Sequence, residues 1–137
     1  MRYLLDTNIC IHLFKGQQDL IEKIELKGVS SCYLSEITIA ELMYGVENGS
    51  NLHRQANWKN LETLYTTFAD RILLIGQGFS EYARQKSVLR RRGRMIGEFD
   101  LLIGSTAIAH ELILVTRNIQ DFGRLDQIML ENWIDQG

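Results

Sequence analysis

Short, uninterrupted apolar runs separated by helix-length stretches constrain this chain more than any other feature. Tyr3-Leu4-Leu5, Ser31-Cys32-Tyr33-Leu34, Arg71-Ile72-Leu73-Leu74-Ile75 and Leu112-Ile113-Leu114-Val115 do not alternate with polar residues, as expected of strands buried on both faces. Ile128-Met129-Leu130 reads as a shorter fifth. Between them the apolar side chains recur at helical spacing. A first helix carries Ile9, Ile11, Leu13 and Phe14. Others span residues 17–26, then a stretch from a Ser35 or Thr38 cap to Asn48-Gly49, then 51–68, 78–91 and 99–110. Strand–helix alternation predicts an α/β fold, a mostly parallel sheet with helices on both faces. In such folds ligands bind beyond the carboxyl ends of the strands.

The 137 residues suit one domain spanning 1–137, with no internal repeat and no Gly/Ser-rich linker. Proline is absent, so glycine, asparagine and aspartate must make the turns. No apolar run approaches the roughly 18 residues of a membrane span, and the N-terminal stretch has no secretory core. Two cysteines, Cys10 and Cys32, are too few for a disulfide framework. A cytoplasmic protein without membrane contact is the expectation. The net charge of −2, from 15 basic and 17 acidic residues, conceals an uneven distribution. Arg84, Lys86, Arg90, Arg91, Arg92 and Arg94 lie within residues 84–94 with no acid among them. A concentrated basic patch on an acidic body is compatible with a polyanionic partner.

Four acids fall where the site is expected. Asp6 closes the first strand, Glu41 lies on the helix after the second, Asp100 opens the 99–110 helix, and Asp121 follows the fourth strand. Aspartates at such positions also serve as helix caps and turn residues. A converging set, however, must be compensated, because unpaired carboxylates are not tolerated inside a fold. A hard divalent cation such as Mg²⁺ compensates them, and the absence of a thiol or histidine set disfavours zinc. The chemistry such a centre supports is phosphodiester hydrolysis by a metal-activated water.

The residues also resemble a known family. Leu5-Asp6-Thr7-Asn8 and Ser35-Glu36-Ile37-Thr38-Ile39-Ala40-Glu41-Leu42 with Tyr44-Gly45 are similar to the first half of PIN-domain ribonucleases. Gly97-Glu98-Phe99-Asp100-Leu101-Leu102-Ile103, Leu114-Val115-Thr116-Arg117-Asn118, Asp121-Phe122 and Glu131-Asn132-Trp133 resemble the second half. Within that family the blocks look most like VapC toxins of type II toxin–antitoxin modules. The resemblance implies a three-layer α/β/α sandwich and Mg²⁺- or Mn²⁺-dependent endoribonuclease activity. It makes Asp6, Glu41 and Asp100 the central acids, with Asp6, Asp100 and Asp121 as metal ligands. Many relatives carry their fourth acid where this chain has Asn118, so Asp121 is taken as that acid here. Thr7, Asn8, Thr116 and Asn118 become supporting polar groups. The implied substrate is tRNA, with the anticodon loop of initiator tRNA as the candidate target. The implied partners are a VapB-like antitoxin, which would make any DNA contact, and a second copy of the chain in a homodimer.

Of the basic residues, Arg91, Arg94 and Arg117 are the candidates for holding RNA phosphates. The antitoxin would occupy an apolar groove formed by Ile9, Ile11, Leu13 and Phe14 with Trp58 and Tyr65 of the 51–68 helix. His12 reads as helix surface, Cys10 and Cys32 as core, and Trp133 as a packing anchor. Gly104, Ala107 and Ala109 read as small residues allowing the Asp100 helix to pack closely on the sheet. Two further classes fit an acid cluster less well: a small-molecule or DNA phosphohydrolase, and a non-catalytic interaction module.

Overall fold

The computed structural model describes residues 1–135; the last two positions of the expected 1–137 domain lie outside the described residues. Its sheet is five-stranded and wholly parallel, in the order β3-β2-β1-β4-β5. The strands are β1 (Tyr3–Leu5), β2 (Cys32–Ser35), β3 (Ile72–Leu73), β4 (Ile113–Val115) and β5 (Met129–Glu131). The helices are α1 (Thr7–Phe14), α2 (Gln18–Lys27), α3 (Glu36–Glu47), α4 (Asn51–Thr67), α5 (Phe79–Arg92), α6 (Glu98–Ala109) and the short α7 (Ile119–Phe122). None is long and apolar enough, among the described residues, to cross a membrane.

Alternation along each strand divides the core into two. Tyr3, Leu5, Cys32, Leu34, Ile113 and Val115 join side chains of α1 to α4 on one face. Leu4 and Leu114 join Leu89 of α5, Leu101 and Ile103 of α6 and Phe122 of α7 on the other. Continuous apolar strands are therefore required, since both faces are covered. The outcome is the expected three-layer sandwich. From β1 the chain moves outward through β2 to β3, then returns to the other side of β1 for β4 and β5. The strand order reverses between β1 and β4, and the crevice at their carboxyl ends is where a ligand site forms in such sheets.

Several local expectations shift. The third strand shortens from 71–75 to Ile72–Leu73, because Leu74 turns outward and Ile75 opens a 3₁₀ turn held by its N–H to Glu36 Oε2 at 2.7 Å. Ser35, not Thr38, caps α3, accepting from the Ile37 N–H at 3.1 Å. Of the small residues on α6, Ala109 is exposed, and Gly104 packs beside Phe122 and Leu125 rather than against the sheet. A Cβ at Gly104 would lie 2.3 Å from Leu125 Cδ1, so only glycine lets the segment around α7 approach α6 this closely.

Candidate active site at the carboxyl end of the sheet

Asp6 follows β1 directly and caps α1, accepting from the Thr7 N–H at 2.8 Å. Its backbone N–H continues the ladder to the Val115 carbonyl at 3.0 Å, which locks it against β4. The other carboxylate oxygen, Oδ2, accepts from the Thr116 hydroxyl at 2.8 Å and from Asn8 Nδ2 at 3.1 Å. Only 3% of Asp6 is exposed. Burial pushes its carboxyl up to about 6; the Thr116 and Thr7 hydrogen bonds oppose the rise, and the charges of Asp100 and Glu41 add to it.

Glu41 reaches the same place from α3, where its Oε1 accepts from the Thr7 hydroxyl at 2.6 Å. Thr38, one turn earlier, stands 3.1 Å from the same hydroxyl. Asp100 sits in the first turn of α6 and is partly buried. Burial raises its carboxyl above the ordinary range, and the charges of Glu41 and Asp121 raise it further. Asn118 caps α7, its Oδ1 accepting from the Asp121 N–H at 3.4 Å and its Nδ2 facing Asp121 Oδ2 at 3.3 Å. The Asn118 N–H in turn bonds Thr116 Oγ1 at 3.0 Å. The charges of Asp100 and Glu41 thus reach Asp6, those of Glu41 and Asp121 reach Asp100, and each of the four supporting residues touches one of the acids.

The donor set suits a hard cation. It is all oxygen, and the nearest thiol is no competitor, because burial and then the Asp6 charge hold Cys10 firmly protonated. Among the described residues no three carboxylate, imidazole or thiol groups close into a finished cage.

The arginines are less free than the sequence suggests. Arg84 pairs with Glu81, Lys86 with Glu98 at 2.9 Å, and Arg92 with Asp126 at 3.1 Å. Arg91 bonds Ser87 Oγ, at 2.7 Å, and Arg94 lines a cavity of about 400 Å³ with Arg92, Arg124 and Gln120. Arg117 faces the chain end, paired with Asp135 at 2.8 Å. The Glu81–Arg84 spacing was legible as a helical i,i+3 pair. Two contributors had no sequence signal. Arg124 bridges the Met95 carbonyl, at 3.2 Å, and Asp121, at 3.6 Å. Gln85 is fully buried and clamps both backbone groups of Asp126 at 3.0 Å.

Apolar grooves do open beside α1. One, about 350 Å³, runs between α1, α2 and α4 past Leu13, Phe14, Ile21 and Leu64. Another, about 370 Å³, is lined by Ile11, Phe14, Leu42 and Val46 and reaches Glu41. Ile9 is not part of either, because it is fully buried in the core, and Trp58 packs partly buried against that same core. Tyr65 lines a different groove with Ile39 and Met43.

Residues 3–128 match the PIN domain family. Ribonuclease VapC2 of Rickettsia felis is 36% identical over 140 residues, covering 97% of this chain and 98% of the relative. The tRNA(fMet)-specific endonuclease VapC of Shigella flexneri is 31% identical over 137 residues, covering 97% and 98%. The crystal structure of VapBC2 from Rickettsia felis bound to a promoter DNA fragment aligns with a TM-score of 0.88 at 33% identity, over 97% of this chain and 99% of that one. FitAcB from Neisseria gonorrhoeae aligns with a TM-score of 0.87 at 28% identity, over 98% and 99%. The family model spans most of the chain, the likeness to these relatives runs along nearly its full length, and the chain belongs to the PIN-domain family.

Proposed function

We propose that this chain is the toxin of a type II toxin–antitoxin pair, a divalent-metal-dependent endoribonuclease acting on tRNA, with the anticodon loop of initiator tRNA as its target. The observation that carries this reading is a buried Asp6 at the end of β1, held by Thr116 and Asn8 beside a Glu41 held by Thr7, with the charges of Asp100 and Glu41 reaching it. A fold keeps such mutual repulsion when a cation relieves it in the working state.

Asp6, Asp100 and Asp121 are the residues that would hold Mg²⁺ or Mn²⁺, and Glu41 completes the catalytic set. Bound there, the cation supplies Lewis-acid stabilisation of the phosphate and a water acidic enough to attack at neutral pH. Thr116 and Asn8 fix the orientation of Asp6 Oδ2. Thr7 fixes Glu41 so that its free oxygen can orient the attacking water. Asn118 orients Asp121. Arg91, Arg94 and Arg117 hold the flanking phosphates of the RNA.

A VapB-like antitoxin restrains the activity, its chain lying along the grooves of α1 and reaching Glu41 from the Leu42–Val46 side. DNA is contacted through that antitoxin. The toxin itself pairs as a homodimer in a cytoplasmic complex.

The test is cleavage of total bacterial RNA by the purified chain in Mg²⁺, Mn²⁺ or EDTA, beside Asp6→Asn, with products mapped at nucleotide resolution. One metal-dependent cut in the initiator tRNA anticodon loop, lost in the variant, is expected. Intact RNA in every metal would overturn the nuclease reading, and cuts elsewhere would overturn the target alone.

A further inference from the structure

The guanidinium of Arg117 has all three of its nitrogens occupied. Nε donates to Asp135 Oδ2 at 3.0 Å and Nη2 to Asp135 Oδ1 at 2.8 Å, a two-pronged grip on one carboxylate. Nη1 stands 3.2 Å from His12 Nε2 on the last turn of α1. The other ring nitrogen of His12, Nδ1, is buried and has no hydrogen-bond partner among the described residues. With Nε2 accepting from the arginine, His12 acts as a fixed stop for the guanidinium plane. The backbone N–H of Arg117 is held as well, donating to Asn8 Oδ1 at 3.3 Å. Arg117 is thus tied at both ends, immediately after Thr116, whose hydroxyl holds Asp6.

The carboxylate on its outer edge is delivered by the end of the chain. Trp133 is buried edge-on against Tyr3, with ring centroids 5.0 Å apart, and its indole N–H bonds Glu131 at 2.8 Å. Beyond this anchor, Asn132 Oδ1 accepts the N–H groups of Ile134 and Asp135 at 2.9 and 3.1 Å, while its Nδ2 donates to Asp135 Oδ2 at 2.9 Å. That turn aims Asp135 at Arg117. The fork a guanidinium offers to a carboxylate is the same fork it offers to a phosphate.

We infer that the Nε–Nη2 edge of Arg117, braced by His12, is a seat for an RNA backbone phosphate, and that Asp135 occupies this seat as an internal competitor until RNA displaces it. The inference rests on the nuclease reading and deepens it by adding a self-blocking contact beside the acid crevice. Both partners are exposed over nearly half of their side chains, so the ion pair is weak enough for a phosphate to replace. The tail therefore tunes RNA affinity without closing the site.

The test measures binding of a fluorescent anticodon stem-loop RNA to the full chain carrying Asp6→Asn, which prevents the probe from being cut. Adding Asp135→Asn should tighten binding about two- to fivefold, the scale of one exposed ion pair. Adding Arg117→Ala to that protein should abolish the gain, whereas Arg117→Lys should keep part of it. Thermal melts of each variant identify any protein that fails to fold, and Arg117→Gln, which also removes the charge, then serves in place of Arg117→Ala. Unchanged or weaker binding by Asp135→Asn overturns the inference while leaving the nuclease reading intact. A gain that survives loss of Arg117 also overturns it, because the carboxylate would then be acting by general repulsion. Absence of binding to this stem-loop in every protein overturns the inference together with the proposed target, and the nuclease reading is then decided separately by the cleavage assay.

Discussion

Thr116 donates its hydroxyl hydrogen to Asp6 Oδ2 at 2.8 Å, joining the ends of two adjacent parallel strands through their side chains. The same Thr116 oxygen accepts the Asn118 N–H at 3.0 Å, so one hydroxyl couples the central acid to the cap of the helix bearing Asp121. This hydrogen bond also pulls the Asp6 carboxyl down against the rise that burial imposes. Thr116→Val keeps the shape and removes these two bonds together with the one Asn8 Nδ2 donates to the same oxygen at 3.4 Å. Because groups that orient metal-binding carboxylates typically matter 10- to 100-fold, the variant should need about tenfold more Mg²⁺ for half-maximal cleavage. A Mg²⁺ titration of cleavage rate with an unchanged midpoint would contradict this.

The raised carboxyl of Asp6 has a consequence for stability in the absence of metal. An unfolded aspartate ionises near 3.8 and the folded one near 6, so the folded state binds the proton more tightly. Stability from this group is therefore full below about pH 3.8, falls as pH rises to about 6, and stays reduced above it. The loss is on the order of 2–3 kcal/mol at most, since each pKa unit corresponds to about 1.4 kcal/mol. Asp6→Asn cannot ionise. In EDTA its melting temperature should exceed that of the parent at pH 7.5, and the gap should close near pH 4. Equal melting at pH 7.5 would show that the burial cost is met elsewhere.

Gly104 tests how tightly the Asp121 segment is held to α6. Alanine there would bring its Cβ to 2.3 Å from Leu125 Cδ1 and 3.3 Å from Phe122 Cδ1, both buried. Overpacking of this kind typically costs about 1–3 kcal/mol. Urea unfolding of Gly104→Ala should show that loss, and the double variant with Leu125→Ala should lose less than the sum of the two single losses. Simple additivity of the two changes would mean that they do not share the space.

How much of this was legible in the sequence depended on range. The strands could be read because burial on both faces demands unbroken apolar runs, and Asp6 and Asp100 because they stand at element boundaries. The edge strand could not be delimited, since its end is set by Glu36 gripping the Ile75 N–H from a helix 39 residues away. Likewise, the Thr7–Glu41 and Thr116–Asp6 bonds span 34 and 110 residues, and no local spacing reports them. The pairing of the arginines was hidden for the same reason. Composition shows a block of cations, but Asp126, which pairs with Arg92 of that block, lies 34 residues further on, just as Asp135 lies 18 residues beyond Arg117.

Gln85 is the clearest such case, a polar residue in a basic helix that proves to be wholly buried. Its Nε2 donates to Glu81 at 2.8 Å and to the Asp126 carbonyl at 3.0 Å, and its Oε1 accepts the Asp126 N–H at 3.0 Å. One amide thereby fastens α5 to the loop after α7. Gln85→Leu would fill similar space while leaving the Asp126 N–H and carbonyl without these partners, a loss of about 2–4 kcal/mol for two stranded backbone groups. Gln85→Glu retains the acceptor for the Asp126 N–H but turns a carboxylate toward the carbonyl and Glu81. It should therefore be strongly destabilised at pH 7.5 and recover as acidification protonates it, whereas Gln85→Leu should be insensitive to this change. Urea unfolding of both variants at pH 7.5 and pH 4.5, each compared with the parent at the same pH, distinguishes a polar clamp from mere filling of space. If Gln85→Leu is as stable as the parent, the clamp contributes shape alone.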